Sequence, residues 1–281
     1  MILRNQINLN GLFDSLKTCV ECFLNIGIFR LPFLFIYFDS NGLSEAELFS
    51  GPQATQTEIG YQRRDGISDA GLAHFQKAYP GEKINKEDLF YYIYGLLHSP
   101  DYRARYADNL SKELPRIPAV KGAEPFWAFS RAGRQLADLH LNYESVQPHP
   151  VTLDTGKPIQ ALGPKEYRVV KMKFGKSKDP ATGKTLADKT TIIYNPHITL
   201  RDIPLEAYTY IVNGKPAIEW VMERQSVTTD KSSQITNDAN HYATETLQNP
   251  KYPLELLQRI ITVSLETMKV VDGLPGMSLN E

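Results

Sequence analysis

Between Lys165 and Lys189 eight cations (Lys165, Arg168, Lys171, Lys173, Lys176, Lys178, Lys184 and Lys189) stand against three carboxylates, Glu166, Asp179 and Asp188. The local charge is +5 within a chain whose total is −1. Such a density of mobile ammonium groups suits the neutralisation of phosphates, and a two-stranded ribbon carrying it is narrow enough for a major groove. It equally suits a solvated hairpin whose lysines guard exposed strand edges. Charge alone leaves both readings open, because clustering does not identify a partner. On the nucleic-acid reading Lys171, Lys173, Lys176, Lys178, Lys184 and Arg168 are the candidate DNA-binding cations. Asn195 and Gln225 are candidate readers of base edges. Arg103, Arg105, Arg131 and Arg134 fit a second basic surface or a solvated helix face.

Motifs for covalent chemistry are incomplete. Gly183-Lys184-Thr185 ends like a phosphate-binding loop, yet Lys178 stands where its first glycine belongs; Gly175-Lys176-Ser177 has Val170 there. No Gly-x-Ser-x-Gly elbow, His-Glu-x-x-His pair or Gly-x-Gly-x-x-Gly loop occurs. The six histidines are scattered, and His98 and His140 sit beside apolar helical stripes, as packing or hydrogen-bonded residues do. Cys19 and Cys22 are the only cysteines; half a zinc site needs two further ligands, and the nearest histidine is His74. The expectation is no catalytic, metal or cofactor site in this chain.

A hydrophobic fraction of 42% and a charged fraction of 22% are those of a folded domain rather than of a disordered chain. The apolar stretch from Cys19 to Phe38 is broken by Glu21, Asn25, Arg30 and Pro32, so neither half reaches the roughly 20 residues of a membrane span. No signal-peptide pattern precedes it, and a cytoplasmic location is expected. Leu31–Phe38 is expected as a buried strand followed by a turn at Asp39–Gly42, with Gly42–Gly66 as loop.

The elements that must position the cations follow from pattern. Ser68 and Asn85 are helix N-caps, ahead of apolar residues at helical spacing that end at Pro80-Gly81 and Ser99-Pro100. A third helix carries Tyr102, Tyr106 and Leu110, and a fourth runs from Pro125 to about Tyr143. Tyr167–Phe174 alternates, with Val170, Met172 and Phe174 on one face, and Thr190–Tyr194 is a β-branched run; together they predict a long basic hairpin. Ala207–Val212 is expected as a strand ended by Asn213-Gly214, then a short helix from Pro216. Leu254–Val271 has a single apolar stripe and closes the chain as a helix. The fold class is α+β: a helical block, a β-rich segment with the long basic hairpin, and a closing C-terminal helix.

Several ordered stretches resemble one family. Ile67-Ser68-Asp69 to Phe75, Lys86 through Arg103, Lys112 to Pro118, Phe126 through Glu144, Tyr167 to Gly175, Ile192 to Asn195, Ala217 to Val221 and the final helix are similar to the C-terminal specificity domain of type ISP restriction–modification enzymes. Residues 1–60 are then an N-terminal strand and loop segment. Residues 61–281 are the target-recognition domain, with a helical part 61–145, a β-rich part 146–230 and a C-terminal helical part 231–281.

The resemblance implies sequence-specific recognition of double-stranded DNA. It further implies adenine-N6 methylation and ATP-dependent cleavage by methyltransferase, translocase and nuclease domains, which would hold S-adenosylmethionine, ATP and Mg. The methyltransferase's Asn/Asp-Pro-Pro-aromatic motif is absent: Asn195-Pro196 and Asn249-Pro250 lack the second proline. A different class of function stays in view, a non-catalytic module docking a methyltransferase or helicase partner through Tyr91, Tyr92, Tyr94, Tyr102 and Tyr106 without touching DNA.

Overall fold

The computed structural model describes residues 36–39, 62–65, 67–110, 115–180 and 182–279. Strand β1 (Ile36–Asp39) pairs antiparallel with β2 (Gln62–Asp65), Ile36 opposite Asp65. The first lies in the apolar run expected to be extended. The second corrects the expectation of loop through Gly66. Residues 31–35, the rest of the expected turn at 40–42, and both cysteines lie outside the described residues.

Ser68 caps α1 (Asp69–Ala78), its hydroxyl accepting from the Gly71 N–H at 3.1 Å. Asn85 caps α2 (Lys86–His98) in a reciprocal box: Asn85 Oδ1 accepts from Asp88 N–H, and the Asp88 carboxylate from Asn85 N–H. Ser99 ends α2 and caps α3 (Pro100–Arg105). The third helix is therefore shorter than its tyrosine spacing suggested. It breaks at Tyr106, whose backbone leaves the helical region (φ −112°, ψ 19°), before the single turn α4 (Ala107–Leu110). The long helix α5 (Ala123–Leu141) begins two residues before Pro125, after Gly122 with φ +91°.

The chain divides into two compact units, one reaching Arg134 and including the tail from Leu274, the other Gln135–Gly273. In the first, α2 and α5 cross closely enough that a Cβ on Gly95 would strike the Phe129 carbonyl, and one on Gly133 the Tyr91 carbonyl. Phe75, Tyr79, Tyr92, Phe126 and Phe129 fill the space beside that crossing, with Tyr92 and Phe126 stacked at 4.7 Å. Three tyrosines keep a polar end: Tyr102, Tyr92 and Tyr79 donate to the carbonyls of Arg116, Pro118 and Val120 at 2.6, 2.6 and 2.7 Å. Alternate carbonyls of an extended run share a side, and three hydroxyls at period two hold residues 116–120 ahead of α5. Tyr92, Tyr94 and Tyr102 are fully buried, and Tyr91 and Tyr106 partly so.

In the second unit four strands form an antiparallel sheet in the order β3 (Thr152–Asp154), β6 (Thr199–Arg201), β5 (Thr185–Ile193), β4 (Lys173–Lys178). Between β3 and β4 lies the short helix α6 (Pro164–Tyr167). The Asn213-Gly214 turn joins β7 (Ile211–Val212) to β8 (Lys215–Pro216), both residues with positive φ as a tight hairpin turn requires. Then follow α7 (Ala217–Arg224), β9 (Thr228–Thr229), β10 (Thr236–Asn237), the single turn α8 (Ala239–His241) and α9 (Tyr252–Asp272). The core joins Ile192, Tyr194 and Leu200 of the sheet region to Ile218 and Val221 of α7 and Leu257, Ile260 and Ile261 of α9. His140 donates to or accepts from Thr267 at 2.9 Å and stacks on Tyr210, a packed histidine as its stripe implied.

Two expected strands are corrected. Tyr167 ends α6, and β4 begins only at Lys173. Val169 is buried while Val170 is 56% exposed, the reverse of the expected alternation. The cause is Asn240, whose amide bonds both the N–H and the carbonyl of Val169 and so takes the place of a strand partner. Of Ala207–Val212 only the last two residues are strand, because Leu205–Tyr208 winds into a 3-10 turn after Pro204.

Candidate nucleic-acid interface

The basic hairpin is a ribbon with a hinge-like irregularity at its foot. Phe174 faces Ile192 in register, but the next residue, Gly175, faces Asp188, which leaves Lys189, Thr190 and Thr191 without partners on β4. Asp188 shapes this bulge by accepting from the Thr190 N–H at 3.0 Å and the Thr190 hydroxyl at 2.6 Å. Gly175 is needed there, since a Cβ would lie 2.8 Å from that of Thr191. Lys189 is turned onto the protein. Its ammonium bonds Glu219 of α7 at 2.8 Å and lies over the rings of Tyr208 and Phe174 at 5.2 and 5.8 Å.

Beyond the bulge, Lys176–Lys178 and Thr185–Ala187 are exposed on both faces, so this part of the ribbon has no core side. Its tip is closed by Asp179 N–H donating to Lys184 O, and by Gly183 N–H (φ +66°) donating to Asp179 O. Lys171, Lys173, Lys176, Lys178 and Lys184 are all exposed, and none has an ion-pair partner among the described residues. These five are what the fold brings together.

The other candidate residues lie elsewhere. Arg168 pairs with Asp238 at 2.6 Å. Burial opposes the charge of Asp238, but hydrogen bonds from Asn240 and Arg168 hold its carboxyl below the ordinary range. Asn195 is 6% exposed. Its Nδ2 donates to the carbonyls of Glu166 and Arg168, and its Oδ1 accepts from the N–H groups of His197 and Ile198, so the side chain closes its own turn. Gln225, at the C-terminus of α7, is 1% exposed, with its Oε1 unpartnered among the described residues. In the helical unit Arg134 is spent on Glu87 and Asp88, at 2.5 and 2.7 Å, and on the face of Tyr91. Arg103 donates to the Leu97 carbonyl.

Sequence reasoning missed a second hairpin. Strands β9 and β10 pair Thr229 with Thr236 and Thr228 with Asn237, and every residue from Thr228 to Asn237 is exposed, Ile235 to 70%. Two-residue strands carry too little alternation to be recognised; the remaining signal is β-branched residues on either side of Asp230-Lys231-Ser232-Ser233-Gln234. Its foot meets the foot of the basic ribbon. Val227 N–H donates to Val170 O at 2.8 Å just before β9, and Asp238 and Asn240 just after β10 hold Arg168 and Val169.

Among the described residues no group of three or more His, Cys, Asp and Glu side chains is placed to hold a metal ion, and no helix is long and apolar enough to cross a membrane.

Most of the chain has counterparts in solved structures. The chain is 36% identical to the ATP-dependent Type ISP restriction-modification enzyme LlaBIII bound to DNA, with a TM-score of 0.65 over 82% of this chain and 14% of that one. It is 40% identical to a nuclease-deletion mutant of the Type ISP restriction-modification enzyme LlaGI in complex with a DNA substrate mimic, with a TM-score of 0.58 over 78% of this chain and 14% of that one. To the DrdV–DNA complex it is 32% identical, with a TM-score of 0.61 over 78% of this chain and 21% of that one. It thus spans a fifth or less of the length of the first two. No curated protein matches it significantly. Residues 28–256 match the family model of the Type ISP C-terminal specificity domain, and the chain belongs to that family.

Proposed function

We propose that this chain recognises a sequence in duplex DNA, and that its ribbon lysines meet the phosphates. The carrying observation is the set of five exposed lysines without ion-pair partners among the described residues: Lys176, Lys178 and Lys184 on the part of the ribbon that stands free of the core, and Lys171 and Lys173 at its foot. Cations already held by carboxylates gain little from a phosphate; unpaired ones release counterions when they meet it. Support also comes from the relatives, which were solved bound to DNA or in complex with a DNA substrate mimic. On this reading the domain directs adenine-N6 methylation and ATP-dependent cleavage by methyltransferase, translocase and nuclease domains, in the same or a separate chain. Those domains would bind S-adenosylmethionine, ATP and Mg, and the assembly would work in the cytoplasm. Arg168 contributes by fixing the foot of the ribbon rather than by meeting phosphate. Asn195 shapes the turn beside it, and Gln225 sits within the fold two residues before the second hairpin's root.

The docking alternative has weaker support, because Tyr92, Tyr94 and Tyr102, which would form the aromatic surface, are buried in their own unit.

Fluorescence anisotropy with duplex DNA over a salt series tests the proposal. Lys171→Glu with Lys173→Glu should weaken binding to every duplex and lower the salt slope by about one for each phosphate that is no longer neutralised. Unchanged affinity and slope in the double variant would remove the ribbon from the interface.

A further inference from the structure

The second hairpin, Thr228–Asn237, serves no purpose in the core, since all its residues are exposed. An isolated two-stranded hairpin is marginally stable, so its shape has to be held by other means. Here it is held at both ends. At the tip a single atom, Asp230 Oδ1, accepts from the N–H groups of Ser232 and Ser233 and from both their hydroxyls, at 2.6 to 3.0 Å. Gln234 follows in the left-handed region at φ +58°, which a residue with a side chain adopts at a cost, and its Nε2 donates back to Lys231 O. Halfway down, the Thr229 and Thr236 hydroxyls bond each other at 2.8 Å. At the foot, Arg168–Asp238, Val169–Asn240 and Val170–Val227 tie it to the three residues that precede Lys171. The outcome is a preorganised protrusion sharing one root with the lysine ribbon.

Its chemistry differs from the ribbon's. Asp230 and Lys231 cancel, so the hairpin carries no net charge to draw it to phosphates. Hydrogen bonds from Ser232 and Ser233 hold the Asp230 carboxyl ionised, at a pKa of about 2, and an ionised carboxylate is repelled by a phosphate backbone. What it offers instead are short hydroxyl and amide side chains, together with one isolated apolar side chain, Ile235, at 70% exposure. Base edges in a major groove present that combination: donors and acceptors within reach of an amide, and the thymine methyl for an apolar contact.

We propose that Thr228–Asn237 is the base-reading element of this domain, with Gln234 and Ile235 at its tip determining specificity while the lysine ribbon grips neighbouring phosphates. The inference rests on the DNA-binding reading, and its test separates the two. The 281-residue chain is used to select from a duplex library with a randomised centre, and anisotropy then compares the enriched duplex with unselected duplexes. The wild-type chain should enrich one short motif and prefer it by about tenfold or more, a typical discrimination for one or two base contacts. Gln234→Gly with Ile235→Ala should lose or change that preference at one or two base pairs while binding unselected duplexes within about twofold of wild type, since every phosphate-facing cation is kept. Glycine tolerates the left-handed backbone at 234 and both positions are exposed, so the fold is retained, which urea unfolding verifies. Lys171→Glu with Lys173→Glu should do the opposite, weakening all duplexes and keeping the motif. If the tip variant enriches the same motif with the same preference, the hairpin does not read bases. A wild-type chain that binds duplexes but enriches no motif also overturns the inference and leaves the DNA-binding reading standing. A chain that binds no duplex at low salt overturns both.

Discussion

Arg134 and Lys176 carry the same charge and are employed in opposite ways. Arg134 is flanked by Glu87 and Asp88 and lies on the Tyr91 ring, in a unit where tyrosine hydroxyls and helix caps are tied to backbone partners around a close helix crossing. Lys176 stands beyond the bulge, on the part of the ribbon with no core face, and has no ion-pair partner among the described residues. A count of cations along the chain weighs the two equally, but only a cation without a partner is ready for an incoming anion. The lesson is a division of labour: the helical unit is built to stay as it is, and the ribbon is built with charge to spare. Substitutions at Arg134 or at the helix crossing should therefore change stability and leave the salt dependence of DNA binding alone, and those at the ribbon lysines should do the reverse.

The largest effect is expected at the crossing of α2 and α5. Alanine at Gly133 places a methyl against the Tyr91 carbonyl, a backbone atom that cannot rotate away. The helices must separate, and overpacking of this kind costs about 3 kcal/mol or more. Urea unfolding of Gly133→Ala should show a much lower midpoint with an unchanged salt slope for whatever fraction remains folded. A near-normal midpoint would mean that the crossing is soft and the helical unit is no rigid scaffold.

How much of this was legible beforehand depended on how local each interaction is. The caps at Ser68 and Asn85 were readable because donor and acceptor are three residues apart. The basic hairpin and the stripe of α9 were readable from periodicity. What escaped was set from afar. Val169 and Val170 exchange inside for outside because Asn240, 71 positions away, bonds Val169. Lys189 belongs to the protein rather than to a ligand because Glu219, 30 positions away, meets it. Asn195 looked free to read a base, yet its amide closes a turn of its own backbone. The second hairpin was invisible because its strands are too short for a period. Five ribbon lysines were therefore identifiable as cations from sequence, and as unpaired cations only from the fold.

An intermediate effect is expected on acidification. His98 is half-buried, and burial, with the nearby Arg103 adding to it, lowers its pKa from 6.5 to about 4 despite its bond to the Tyr94 carbonyl. A histidine with a depressed folded pKa is neutral in the native state and protonates first in the unfolded chain. Its share of stability is full above about pH 6.5 and is lost as pH falls towards 4, at roughly 1 kcal/mol per pH unit after allowance for partial exposure. Unfolding between pH 6.5 and 5, above the range where most carboxylates titrate, should show this slope in the wild type and a flatter one in His98→Gln. Equal slopes would assign the acid sensitivity to other groups.

The smallest effect sharpens the comparison most. Arg134→Gln removes a partner from Asp88, which is 8% exposed and still bonded by Asn85 N–H, so stability should fall by only about 1 kcal/mol. The salt slope of DNA binding should not move, because this guanidinium is already neutralised within its own unit. Lys176→Gln changes the charge of the chain by the same single unit and should lower the slope by about one with no change in unfolding midpoint. If the two variants shift the slope equally, net charge rather than unpaired charge governs association, and the distinction between the two regions fails. If only Lys176→Gln shifts it, a cation's partner in the free protein decides whether it serves the fold or the duplex.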